Sequence, residues 1–293
     1  MKIAIVSDSN SGITQLEAKK LGISIIPMPF SIEGEEYFED INLTQDDFYE
    51  KLLGDVSVST SQPSIGYLMD AWDKLLDEYD QIVFIPMSSG LSKTFDTSNR
   101  LAENEYDGKV FVVNNQRISV TQRQSVLDAL ELASKGYDGK KIKEKLESVK
   151  FESDIYIMVD TLKYLKKGGR ITPTAAAVGG ALKIKPILQI KGEKLDKYRM
   201  MNRTLENAKR IMIDSLKETI NTTLNTDGRT DNVHIAVAYT GTDTKVAYDF
   251  VKQVQIEFPN CEIVCNPLSL SVSCHIGPGA LAIAVSKALP DNL

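Results

Sequence analysis

Short, mainly apolar runs punctuate the first half of the chain at residues 3–6, 23–27, 82–87 and 110–113. Runs of this length predict strands buried on both faces of a parallel sheet. Between them, residues 15–21, 64–78, 94–105 and 122–135 carry apolar positions at helical spacing. Strands that alternate with helices predict a doubly wound layer, in which ligands gather beyond the carboxyl ends of the strands.

The pattern changes near residue 155. A strand-like run at 156–159 precedes a helix through Lys163, and the Ala/Gly-rich segment 174–182 is expected to open a further helix. Residues 187–191 and 194–202 read as a hairpin, 205–222 as a long amphipathic helix and 223–231 as a polar loop. Residues 234–239, 243–258, 262–266 and 279–289 continue as strand, helix, strand and helix, without a repeat. The expectation is an α/β protein with an N-terminal doubly wound parallel-sheet domain over 1–155 and a C-terminal α+β mixed-sheet domain over 156–293. A length of 293 residues fits two cores better than one.

Composition narrows the function. Hydrophobic residues make up 42% and charged residues 25%, enough to build ordinary soluble cores. The net charge of -6 argues against a nucleic-acid partner, which needs a basic face. Three cysteines, Cys261, Cys265 and Cys274, match no common zinc spacing and fit a reduced compartment. The opening apolar stretch is too short for a signal peptide, and no run approaches the length of a membrane span, so the expected location is the cytoplasm.

Three segments carry candidate chemistry. Ser88-Ser89-Gly90-Leu91-Ser92-Lys93-Thr94 follows a strand and enters a helix, where unpaired amides, hydroxyls and the close approach allowed by Gly90 form an anion site or simply cap the helix. Spacing alone favours capping. The hydroxyl-rich loop 57–64, with Thr60 and Ser61, ends on Ser64 as an N-cap, and its convergence with the first loop would present several neutral donors to one anion. Lys166-Lys167-Gly168-Gly169-Arg170 reads as a basic helix end on a double-glycine turn, with Arg170 either a surface charge or a fork for a carboxylate. Of the two histidines, His275, in a Gly/Pro-rich turn expected to open the last helix, is the functional candidate, and His234 lies inside a strand. No nucleophile elbow, P-loop or dinucleotide fingerprint is present, so no catalytic residue, metal or cofactor is expected. The competing reading is a Mg²⁺-dependent kinase or phosphatase-like enzyme using Asp8 and Asp160, both of which follow strands.

Several segments in order resemble the DegV family of bacterial fatty-acid-binding proteins. They are the first strand with Asp8, Thr60-Ser61-Gln62-Pro63-Ser64, Ser88-Ser89-Gly90-Leu91-Ser92, the stretch from Val159-Asp160-Thr161-Leu162 to Gly168-Gly169-Arg170-Ile171, Lys185-Pro186-Ile187-Leu188, and His275-Ile276-Gly277-Pro278-Gly279-Ala280. The resemblance implies a lipid-binding carrier rather than an enzyme, with a long-chain fatty acid between the two domains. Its carboxylate would rest on Thr60 and Ser92, with Arg170, His275, Ser61 and Gly90 in the supporting network. It further implies a separate ATP-dependent kinase that makes an acyl phosphate for lipid metabolism, and leaves room for transient contact with a membrane surface. The chain departs from the family pattern at Lys93, Ile276, the segment Asn114-Asn115-Gln116-Arg117 and the segment Thr121-Gln122-Arg123-Gln124.

Overall fold

The computed structural model describes residues 1–52, 54, 56–177, 185–192, 194–199, 204–224, 226 and 229–289. The chain opens with β1 (Ile3–Asp8), α1 (Gln15–Leu21) and β2 (Ser24–Ile26), then turns aside into β3 (Phe30–Ile32), β4 (Glu35–Tyr37), α2 (Gln45–Lys51) and β5 (Val58–Thr60). It returns through α3 (Ile65–Leu76), β6 (Gln81–Ile85), α4 (Thr94–Glu105), β7 (Val110–Val112), α5 (Ser119–Ser134) and α6 (Gly139–Ser148).

The strands β2-β1-β6-β7 form a wholly parallel sheet. Its apolar runs are buried on both faces, as their continuity requires. Ile5, Val83 and Ile85 pack under α1, α5 and α6. Ala4, Val6, Ile82 and Phe84 pack against Trp72 of α3 and Leu101 of α4. The helix expected from residue 122 starts three residues earlier, at Ser119.

The excursion into β3, β4 and β5 was not legible as a unit in the sequence. It is a small antiparallel sheet of order β4-β3-β5. Glu33 (φ 52) and Gly34 (φ 85) form a two-residue hairpin turn whose positive φ values match the strand twist. Phe30, Phe48 and Tyr49 form its own aromatic core, which also buries Leu270 and Cys274 from the other end of the chain.

The second half contributes β8 (Ser153–Met158), α7 (Lys163–Gly168), α8 (Pro173–Ala176), β9 (Ile187–Ile190), β10 (Asp196–Arg199) and α9 (Leu205–Thr222). After these come β11 (Val233–Tyr239), α10 (Lys245–Glu257), β12 (Ile263–Pro267), α11 (Leu270–Ile276) and β13 (Leu281–Lys287). The six strands run β10-β9-β8-β13-β11-β12, with only β11 and β12 parallel. β8 opens this mixed sheet and straddles residues 155 and 156. The expected hairpin at 187–202 is present as antiparallel β9 and β10. Residues 193 and 200–202 of that segment, 178–182 of the expected Ala/Gly-rich helix, and 225, 227 and 228 of the expected polar loop lie outside the described residues.

One expected element is of the wrong type. Residues 279–289 do not form a helix but contain β13, a central strand between β8 and β11. Its small alanines suggested a helix, yet Leu281, Ile283 and Val285 alternate with Ala280, Ala282 and Ala284 at the strand period. The large residues face α9 and α10 in one core, whereas the alanines face the other.

Candidate functional site

That alternation creates space. On the alanine face of the mixed sheet lies a cavity of about 320 Å³, within the range of small-molecule sites. Ala238 of β11 and Ala282 of β13 are paired across the sheet and form a low floor. Ile155, Ile157 and Ile190 rise beside it, and Leu91, Ile118 and Val120 from the parallel-sheet half face it. A wall of this kind offers only dispersion and hydrophobic contact to an occupant.

One end of the cavity is polar, and three distant segments meet there. Thr60, the last residue of β5, shares a hydrogen bond of 2.8 Å between its Oγ1 and Nε2 of His275, although the two are separated by 215 positions. His275 stands in the last turn of α11, not at the start of a helix as the sequence suggested, because the residues after Gly277 enter β13. Burial, and secondarily the charge of Arg170, pushes the imidazole down to about 4, so it is neutral near pH 7. A neutral ring offers one donor and one acceptor, which suits a bond to a hydroxyl.

Arg170 reaches the site because Gly169 ends α7 in the left-handed conformation (φ 68) and swings the chain around. The guanidinium donates from Nε to the Leu91 carbonyl (3.3 Å) and from Nη1 to the Gly168 carbonyl (2.5 Å). Its Nη2 has no partner among the described residues. Gly168 has a different duty: a Cβ there would lie 2.1 Å from Nδ1 of His275, so only glycine leaves room for the ring. Ser92 lines the same end, with its Oγ 2.8 Å from Thr94 Oγ1 and accepting the Thr94 N–H at 3.2 Å. It therefore accepts the first N–H of α4, one residue before the N-cap Lys93, and lines the cavity at once.

Of the six residues expected at this end, Thr60, Ser61, Ser92, Arg170 and His275 line the cavity. Gly90 is not on its wall; its N–H donates to Ser88 Oγ, which in turn donates to the Gly192 carbonyl. Sequence reasoning missed the alanine floor, Ser119, and the buried pair Asn10 and Ser271, which also line the cavity. Ser271 donates to Asn10 Oδ1 at 2.5 Å and ties the first strand's loop to α11. The period-2 alternation of alanines was the available signal for the floor; nothing local marked the others.

The two acids of the competing reading each already have partners. Asp8 is fully buried, and its carboxylate is occupied by the N–H groups of Met87 (2.8 Å) and Asn10 (3.0 Å) and the amide of Gln122 (3.1 Å). Burial raises its carboxyl to about 6. Asp160 instead pairs with Lys185. Among the described residues, no group of three or more His, Cys, Asp or Glu side chains could hold a metal ion, and no helix is long and apolar enough to cross a membrane.

A parallel-sheet half and a mixed-sheet half that enclose an apolar cavity with a polar, cationic end define an α/β protein with an internal cavity. The chain belongs to the DegV family: the family model described as "Uncharacterised protein, DegV family" matches residues 2–288. A DegV domain-containing protein of Staphylococcus aureus is 30% identical over 290 residues, covering 98% of this chain and 99% of its own. Among solved structures, a DegV family protein from Thermus thermophilus described for fatty acid binding superposes with a TM-score of 0.87 at 25% identity, covering 98% of this chain and 100% of its own. The fatty acid binding protein DegV from Bacillus subtilis gives 0.83 at 28% identity, covering 98% and 99%. The fold is that of these neighbours.

Proposed function

We propose that this chain is a non-catalytic carrier that binds one long-chain fatty acid between its two domains, 1–155 and 156–293. The observation that carries the reading is an apolar cavity that ends at the Thr60–His275 bond and the open Nη2 of Arg170. The tail lies over the alanine floor, where each buried methylene contributes about 0.8 kcal/mol. A carboxylate without partners would lose several kcal/mol on burial. The hydroxyls of Thr60 and Ser92 donate to it, Ser61 stands beside them, and Arg170 supplies the opposing charge through a charge-assisted bond. His275 stays neutral and holds Thr60 in place. Two fatty-acid-binding neighbours of 25% and 28% identity with the same fold support this use of the cavity.

The finer reading is that the bound acid is presented to a separate ATP-dependent kinase in the cytoplasm, since this chain carries no phosphate-cradling loop of its own. Native mass spectrometry of the purified protein, followed by organic extraction, tests the carrier role: one stoichiometric fatty acid is expected. Thr60→Ala and Ser92→Ala are each expected to weaken binding by about 1.5–3 kcal/mol in calorimetry. Absence of any extracted acid, with no rise in melting temperature on adding acids, would refute the carrier reading.

A further inference from the structure

Three of the polar side chains that line the cavity are at least nine-tenths buried: Asn10 (2% exposed), Ser271 (5%) and Ser119 (6%). The first two satisfy each other. Asn10 Oδ1 accepts from Ser271 and Ser269, and its Nδ2 lies 2.9 Å from the Met87 sulfur. The hydroxyl of Ser119 has no hydrogen-bond partner among the described residues. It stands between Ile118 and Val120, which pack on the apolar face of the mixed sheet.

Ser119 is also the first residue of α5, a 16-residue helix whose N-cap, Ile118, offers no side-chain acceptor. Among the described residues, the N–H groups of Ser119 and Val120 thus open a helix without an acceptor, at its positive end, on the cavity wall. Once an apolar occupant covers them, a hydroxyl and helix amides without partners cost about 1–3 kcal/mol per group, unless the occupant supplies an oxygen. A plain hydrocarbon tail supplies none.

We propose that Ser119 and the first amides of α5 form a second polar subsite, for an oxygen carried on the acyl chain itself, so that the cavity takes hydroxylated long-chain fatty acids in preference to plain ones. A chain hydroxyl accepts from the helix amides and exchanges a bond with Ser119 Oγ, satisfying both. This inference rests on the carrier reading and adds a ligand class to it.

The test compares stearic acid with positional isomers of monohydroxystearic acid, titrated calorimetrically into the wild-type protein and into Ser119→Ala and Ser119→Gly. The glycine variant also relieves the positive φ of 55 at this position, so a loss of affinity in both variants is not a folding effect. The wild type is expected to bind one hydroxy isomer about five- to tenfold more tightly than stearic acid, and isomers with a displaced hydroxyl no more tightly. Both variants are expected to bind stearic acid at least as tightly as the wild type and to lose the gain. If stearic acid binds and no isomer gains, or if the gain survives in both variants, the subsite is refuted while the carrier reading stands. If no acid binds, the carrier reading falls and the subsite with it.

Discussion

At the scale of single residues, the charged end depends on one histidine and one missing methyl group. Gly168→Ala places a Cβ against the His275 ring and is expected to displace it, break the Thr60 bond and weaken acid binding about tenfold or more, while the far-ultraviolet circular dichroism stays unchanged. The histidine also leaves a signature in pH. Its folded value of about 4 lies below the ordinary 6.5, so between these values the unfolded chain binds more protons than the folded one. The stability from His275 is therefore complete above pH 6.5 and lost as pH falls towards 4, on the order of 3 kcal/mol in all. Asp8 and Glu39, whose carboxyls burial pushes up to about 6 and about 7, act in the opposite direction. Comparison with His275→Gln isolates the effect: denaturant midpoints of the wild type should fall more steeply than those of the variant from pH 6.5 to 4, and parallel curves would remove His275 from this role.

At the scale of elements, β13 and β11 decide how much room exists. Ala282→Leu puts a branched side chain on the floor of an existing cavity, so the fold should tolerate it. The loss should appear in the ligand: affinity for the longest acids is expected to drop by roughly 2 kcal/mol, and for short ones hardly at all. Equal losses across a chain-length series would show that the tail does not lie over this floor. The same strands show what the sequence disclosed. The parallel strands were legible because Val6, Ile82 and Val110 belong to short runs buried on both faces, and helices such as 94–105 were legible from their spacing. β13 was misread because alanine scores as a helix former while its pairing with β8 and β11 is set by residues more than 40 positions away. Thr60 and Ser92 were named from motifs, but the small sheet that delivers Thr60 to His275 is built by long-range contacts of Phe30, Phe48 and Leu270, which no local window contains.

At the scale of the whole molecule, the cavity is lined by residues of both halves of the chain, so an occupant would touch both. An acid that binds only the folded form stabilises it by about 2.7 kcal/mol at a hundredfold excess over Kd. Limited proteolysis with and without a saturating fatty acid should show slower digestion of the loaded form, and equal rates would mean that the cavity contributes nothing to cohesion. The Thr60–His275 bond gives this coupling a direction. It joins the small sheet near the start of the chain to the last helix, so a ligand seated beside it holds the beginning and the end of the polypeptide together. The carrier reading therefore predicts that cargo sets the protein's lifetime in a cell, with copies that find an acid persisting and copies that do not the first offered to proteases.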